Sequence, residues 1–347
     1  MTRIHVAANR GDIGGGEVML LRIVTALSEL GYEITVVAPS TPGQLAAEAR
    51  AAGLTVDEVP CRDRPSYARE LRRSARKHSD LIWCNGLLPA LATAGRPRRV
   101  VHLHQLPLGR QRVLAGLARL GARTTLVPSD YLGQAVRGSR VLPNWTDDLD
   151  LLPASRGGDQ VVVGFLGRIG REKGTDVLAH ACRLLDAAVR REVRLVVAGD
   201  DRFVPKADRQ VVARALADAG VEVGRPGWVD PRAFFADVDV TVFPSVRPES
   251  FGLGAAEAMA AGRPVVVSDA GALPEVVGPR HPWVVPRGDA PALARVLASA
   301  IRALPATAVV AEQRARWEAE FSPAAGRRHL AELMQHLVAE GVVGARP

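Results

Sequence analysis

The chain has 347 residues, enough for about two domains that each hold a core of their own. Hydrophobic residues make up 47% and charged residues 24%, a globular composition that excludes a disordered chain, and no apolar run approaches the ~18 residues a spanning helix needs. The net charge of +8 rests on arginine, since Lys77, Lys173 and Lys206 are the three lysines, and Cys61, Cys84 and Cys182 are too scattered for a disulfide framework or a structural zinc site.

From the start, Met1-Thr2-Arg3-Ile4-His5-Val6, the chain enters a strand without the apolar core of a signal peptide, so a reducing, bacterial-type cytoplasm is the expected compartment. Strands are expected at Ile4–Ala8, Glu33–Ala38, Leu54–Val59, Leu81–Cys84, Val100–His104 and Thr124–Val127. Amphipathic stretches lie between them, notably Val18–Leu30 closed by Gly31. Such alternation implies βαβ crossovers and a parallel sheet. The pattern breaks at Pro143-Asn144-Trp145-Thr146, followed by Asp147-Asp148, Pro153 and Gly157-Gly158, which reads as a linker.

A second alternating set follows, with strands expected at Val161–Leu166, Val193–Ala198, Val221–Val223, Val238–Phe243, Pro264–Val267 and Trp283–Val285. Helices are expected at Thr175–Leu185 and Phe251–Ala261, and Pro291 to Glu340 reads as almost wholly helical. The expected organisation is α/β: a Rossmann-like domain over 1–145, a linker over 146–158, a second Rossmann-like domain over 159–322, and a C-terminal helix over 323–347 that packs back toward the first. Two doubly wound domains bind ligands at the carboxyl ends of their strands, so the cleft between them is the expected site.

Charge is uneven. Residues 1–150 carry a net +6 and 151–347 a net +2, while 60–123 alone holds 14 basic and 3 acidic residues. Nucleic acid is one partner for such a window, but aromatics at 4% leave few stacking platforms and no nucleic-acid module is present. Solvated faces in an arginine-rich, GC-rich coding background are the plain alternative. The near-absence of balancing acids points instead to an anionic acceptor or an anionic membrane surface.

Gly11 to Gly16 lacks the lysine and hydroxyl of a P-loop, and both Gly14-Gly15-Gly16 and Gly252-Leu253-Gly254 lack the third glycine of a dinucleotide fingerprint. His102 and His104 face the same way on an expected strand without a third ligand nearby in sequence, so no metal is expected. Three motifs remain. Asp12-Ile13-Gly14-Gly15-Gly16-Glu17 opens the first helix, where bare backbone N–H groups suit a phosphate or a sugar, or simply a tight turn. Gly167-Arg168-Ile169-Gly170-Arg171-Glu172-Lys173-Gly174 sets two cations around a glycine turn just past a strand, a place for a pyrophosphate. Pro244-Ser245-Val246-Arg247-Pro248-Glu249 presents one carboxylate before a helix and Glu257 a second on it, about 9–12 Å further along the axis. That is too far for a dyad acting on one bond and suits two acids gripping separate hydroxyls of one extended ligand.

In this order, and together with Gly262-Arg263-Pro264 and Gly271-Ala272-Leu273-Pro274-Glu275, these motifs resemble the retaining glycosyltransferases of family 4, of GT-B fold, over essentially the whole chain. The resemblance implies two Rossmann-like domains facing each other across a cleft, with a nucleotide-sugar donor on the second and a sugar, lipid-linked or small-molecule acceptor on the first. It implies that Arg168 and Lys173 bind the donor diphosphate, that Glu249 and Glu257 hold sugar hydroxyls and ribose, and that backbone at Phe251, Gly252 and Leu253 touches the donor, with Gly15, Gly16 and Gly167 beside it and Trp228 near the base. His104 resembles the family's active-site histidine, with His102 in reserve; catalysis would rest on His104, Arg168, Lys173 and Glu249. Glu17, Asn85 and His102 are the acceptor-side candidates. Asn85 stands where relatives often carry histidine, and Gln105 where an aspartate is frequent. The chemistry implied keeps the anomeric configuration and uses no metal or other cofactor. A sugar-nucleotide epimerase of the same architecture and a non-catalytic sugar-nucleotide binding protein are the alternatives.

Overall fold

The computed structural model describes residues 3–343 except 77–79, 153–159, 188, 190–192 and 203. Lys77 and part of the expected linker lie outside the described residues. The chain forms two compact units, 1–144 with 326–347, and 145–325.

The first unit is built on a seven-stranded sheet in the order β3-β2-β1-β4-β5-β6-β7, all parallel: β1 (Arg3–Ala8), β2 (Glu33–Pro39), β3 (Thr55–Val59), β4 (Leu81–Asn85), β5 (Arg99–His102), β6 (Thr124–Val127) and β7 (Arg140–Val141). The strands at the middle of the sheet are largely buried, β4 at every position, because helices cover both faces. The helices between strands are α1 (Gly15–Glu29), α2 (Gln44–Ala51), α3 (Arg64–Ala75), α4 (Leu87–Ala92), α5 (Arg110–Ala118) and α6 (Asp130–Ala135). The second unit carries a six-stranded parallel sheet in the order β10-β9-β8-β11-β12-β13, with β8 (Val161–Leu166), β9 (Val193–Ala198), β10 (Glu222–Gly227), β11 (Val240–Phe243), β12 (Val265–Ser268) and β13 (Val284–Val285). Both sheets are doubly wound α/β. Their order reverses at β1/β4 in the first and β8/β11 in the second, which opens a crevice at the carboxyl ends of those strands.

Several expectations shift. The strand expected over Val100–His104 ends at His102, after which Leu103 N–H donates to Leu126 O and the chain leaves the sheet. The edge strand expected at Val221–Val223 runs to Gly227, through Arg225 and Pro226, which an edge tolerates and a sequence pattern conceals. β7 is two exposed residues with no periodic signal. α1 begins at Gly15 rather than Val18, and the helix expected from Phe251 begins at Leu253, because Gly252 caps it at φ +118. The linker expected over 146–158 is docked, where described, on the second unit. Thr146 N–H donates to Phe321 O, Trp317 Nε1 donates to Thr146 Oγ1 at 2.8 Å, and Leu152 N–H donates to Ala261 O. The C-terminal stretch is helical as expected, in three pieces: Ala290–Arg302, Thr307–Glu320 and Pro323–Ala339.

Arg99 holds one face of the first unit together from inside. It is fully buried, and its guanidinium donates to Ala90 O (2.8 Å), Thr93 Oγ1 (2.9 Å), Ala118 O (2.9 Å) and Leu120 O (2.6 Å). The three carbonyls lie at or just past the ends of α4 and α5, where the helix dipole also favours a cation. Replacing Arg99 by leucine leaves Ala90 O and Ala118 O buried without a donor, at about 1–3 kcal/mol each, while Leu120 O keeps its bond from Gly95 N–H. Arg99→Leu is therefore expected to lower unfolding stability by at least about 2 kcal/mol in urea titrations followed by tryptophan fluorescence; a loss under about 1 kcal/mol would contradict this role.

Candidate functional site

In the second unit the crevice between β8 and β11 receives both motifs that follow those strands. Gly167-Arg168 leaves β8, and a short 3₁₀ turn at Arg171–Lys173 ends at Gly174, whose φ of +69 places its Cα against Pro244. A Cβ there would lie 1.9 Å from Pro244 O, so only glycine lets the two loops meet. They are then zipped together: Val246 and Arg247 N–H both donate to Glu172 O at 3.0 Å, and Arg247 pairs with the Glu172 carboxylate at 2.6 Å.

The zipped loops bring Lys173 to Glu249. Lys173 Nζ pairs with Glu249 Oε1, which also accepts from Ser245 Oγ at 2.6 Å. Glu249 is held by its backbone as well, its N–H donating to Ala270 O and its carbonyl accepting from Ala272 N–H. Burial alone would raise the Glu249 carboxyl, but the Lys173 charge and hydrogen bond, the Ser245 hydroxyl and the Arg168 charge outweigh it and hold the group below the usual carboxylate range. Arg168 stands exposed at the loop tip. Two cations, one ionised carboxylate and the start of the helix Leu253–Ala260 thus converge on one crevice, a combination that can bind a diphosphate and the hydroxyls attached to it.

On that helix Leu253, Gly254 and Glu257 share the one face that is not buried, while Ala255, Ala256, Ala258, Met259 and Ala260 are in the core. Glu257 lies one turn into the helix rather than two, and Glu249 stands on an extended segment bridged to Gly271, so an axial rise does not describe their separation. The Phe251 ring is buried edge-on against Phe321, which leaves its backbone as the part able to face a ligand. Trp228 follows β10 and is 77% exposed.

In the first unit the corresponding crevice, between β1 and β4, holds the glycine loop, Asn85 and His104. Asn85 ends β4; its Nδ2 donates to Gly16 O at 2.9 Å and its Oδ1 meets His104 Nε2 at 2.7 Å. Because Gly16 O can only accept, the amide orientation is determined, and His104 must carry its proton on Nε2. Burial pushes the His104 imidazole down to about 4, so near neutral pH it is uncharged with a bare lone pair on Nδ1, which has no hydrogen-bond partner. The ring rests over Gly16, where a Cβ would come within 3.7 Å of it. His102 is fully buried, its ring centroid 4.0 Å from that of His104 and edge-on to Trp83. That corrects its expected acceptor-side place: it backs the His104 ring from inside the sheet. Glu17 is also buried, and burial raises its carboxyl to about 7 against partial opposition from the Glu17 and Gly14 backbone N–H groups and Arg10. Gly14 and Gly15 are exposed at the mouth of the loop.

Sequence reasoning missed Ser245, the second hydrogen-bond partner of Glu249, and Gly271, whose φ of +68 lets the Glu249 segment pass. Both sat inside motifs that had been noticed; only through-space pairing reveals their use. Among the described residues no group of three or more His, Cys, Asp or Glu could hold a metal ion.

The description Glycosyltransferase Family 4 matches residues 13–148, and Glycosyl transferases group 1 matches residues 160–303. A D-inositol 3-phosphate glycosyltransferase of Actinosynnema mirum is 29% identical over 328 residues, covering 77% of this chain and 78% of that one. A GDP-mannose-dependent alpha-mannosyltransferase of Mycolicibacterium smegmatis is 26% identical over 310 residues, covering 77% and 79%. Among solved structures, Anabaena HepE in complex with UDP-glucose superimposes with a TM-score of 0.83 at 21% identity over 97% of this chain and 100% of that one. Sucrose-phosphate synthase of Thermosynechococcus elongatus gives 0.79 at 20% identity over 98% and 100%. The fold is that of the GT-B class.

Two measurements check the first unit's crevice. Glu17 binds its proton more tightly folded than unfolded, so its contribution to stability is complete below about pH 4.5 and lost as pH rises through about 7. Glu17→Gln is expected to melt above the wild type at pH 8, by up to about 3 kcal/mol at 1.36 kcal/mol per pKa unit, and level with it at pH 4.5. Equal melting at both pH values would count against a buried, raised carboxyl. For His104, ¹⁵N correlation spectra of the imidazoles should show a neutral Nε2–H tautomer near pH 7 that mixes with the other form in Asn85→Leu; an Nδ1–H tautomer in the wild type would refute the bond to Asn85.

Proposed function

The chain belongs to the family 4 glycosyltransferases, and on that premise we propose that it moves a sugar from a nucleotide-diphosphate sugar to an acceptor hydroxyl with retention of configuration and without a metal ion. The observation that carries the reading is the convergence of Arg168, Lys173 and Glu249 on the β8/β11 crevice. In this reading Arg168 and Lys173 take the diphosphate and stabilise the charge it gains as the anomeric C–O bond breaks, an electrostatic role that gives them the work a metal ion does elsewhere. Glu249 turns from Lys173 toward a sugar hydroxyl, Glu257 takes the ribose, and Trp228 flanks the base. The acceptor hydroxyl attacks on the face the diphosphate is leaving, and its proton passes to the departing phosphate oxygen.

The acceptor belongs to the first unit, beside the neutral His104 ring that Asn85 orients. The net charge over 60–123 supports an anionic acceptor, phosphorylated or lipid-linked, met in the cytoplasm or at the inner face of the membrane. Among the described residues no single helix is long and apolar enough to cross a membrane. One relative is named for D-inositol 3-phosphate, an anionic polyol, and the other for GDP-mannose, a nucleotide sugar, in keeping with both halves of the reading.

Thermal stabilisation across UDP-, GDP-, ADP- and dTDP-sugars should single out one donor. Lys173→Ala and Glu257→Ala should each keep the fold and lose about ten- to a hundredfold in turnover with it, the equivalent of a charge-assisted hydrogen bond of about 1.5–3 kcal/mol. Near-wild-type turnover in either variant would remove the donor-site assignment. Conversion of the donor with no acceptor supplied would favour an epimerase.

A further inference from the structure

Helix α5 and the turn after it present an unusual surface. α3, α4 and α5 pack in succession over one face of the first sheet, and the buried side chains of α5 are Ala115 and Ala118. Its large residues point the other way. Val113 is 67% exposed, Leu117 47% and Leu120 57%, with Leu114 and Leu108 also exposed. Val113, Leu117 and Leu120 are spaced i, i+4, i+7, so they form one stripe opposite the buried alanines. A soluble helix normally turns such a stripe inward.

The stripe is set in positive charge. Between Asp80 and Asp130 the chain holds seven arginines and no carboxylate. Among the described residues Arg110, Arg112 and Arg123 form no ion pair, and on the neighbouring α3 Arg69, Arg72 and Arg76 are exposed on the same layer. Where α5 ends, an open pocket of about 270 Å³ lies beside Leu120, lined by Arg119, Arg123, Thr124 and Thr125. Arg119 is held in place there, its Nε donating to Thr125 Oγ1 at 3.1 Å and its Nη2 to Arg137 O at 2.7 Å. A pocket flanked by two arginines, one of them braced, is matched to a phosphate.

We propose that this face docks the protein on an anionic lipid bilayer, with Val113, Leu117 and Leu120 entering the interfacial region and the Arg119–Arg123 pocket taking a lipid phosphate. Neither feature suffices by itself. Arginines alone would bind any polyanion, and an apolar stripe alone would suit a second copy of the chain; a stripe and a phosphate pocket sharing Leu120 match the two layers of a lipid surface. The inference rests on the anionic-acceptor reading for its purpose, while the binding itself is measured without donor or acceptor.

Sedimentation of the full chain with vesicles of phosphatidylcholine, alone or mixed with phosphatidylglycerol, tests it. Pelleting is expected with the anionic vesicles only. Arg123→Gln should weaken partitioning about fivefold, as for one basic residue at such a surface, and raising salt from about 0.1 to 1 M should weaken it further. The triple variant Val113→Ser, Leu117→Ser, Leu120→Ser should stay in solution while still being stabilised by the donor found in the nucleotide-sugar panel, which separates loss of docking from loss of the donor reading. Equal pelleting with both vesicle types, none with either, or wild-type pelleting of the triple variant would overturn the proposal. So would a lipid-free dimer abolished by the triple variant, or stabilisation by inorganic phosphate, lost in Arg123→Gln, without vesicle binding.

Discussion

Parallel pairing is the constraint from which everything functional in this chain follows. A strand paired only with parallel neighbours must be re-entered from the same end each time, so all loops that leave the sheet collect along its carboxyl edge. Where the winding reverses, between β1 and β4 and again between β8 and β11, two adjacent loops depart in opposite directions and leave a crevice. Asn85 closes β4, His104 lies two residues past β5, Arg168 two past β8, and Glu249 six past β11. Their chemistry differs, but one topological rule delivers them.

The two crevices treat charge in opposite ways. The second unit concentrates it: Lys173, Arg168 and an ionised Glu249 stand together, each partly neutralised by another, so that on the proposed reading a diphosphate exchanges one ion pair for others rather than meeting bare cations. The first unit suppresses it. Burial keeps His104 neutral and leaves Glu17 poised between its two forms near pH 7, so what this crevice offers is hydrogen bonds with directions set by Asn85. On the proposed reading, a leaving group that gains charge and a hydroxyl that must be oriented call for these two environments.

How far the residues announced this depends on the range of the forces involved. The central strands were legible because they are buried on both faces and read as unbroken apolar runs, and the glycine motifs because backbone contact excludes side chains. Glu249 was legible as a presented acid. Its partnership with Lys173, 76 positions away, was not, since nothing local in either loop specifies it. Nor was the burial of His102: alternation on a strand suggests a face, but not whether that face meets solvent or, as here, Trp83. Arg99 is the plainest case. An arginine-rich chain invites a surface reading for every arginine, and only the convergence of two helix ends shows why this one is inside.

That inward arginine has an evolutionary consequence. A helix is ordinarily kept on its sheet by its own apolar face, so its sequence is spoken for twice, once by the core and once by whatever lies outside. Arg99 attaches α5 through backbone carbonyls, which every sequence possesses, and two alanines complete the contact. The outer positions of α5 are thereby released from the fold. They can drift, be exchanged between relatives, or be rewritten in the laboratory to suit a different surface, while the crevices on the sheet edge remain as they are.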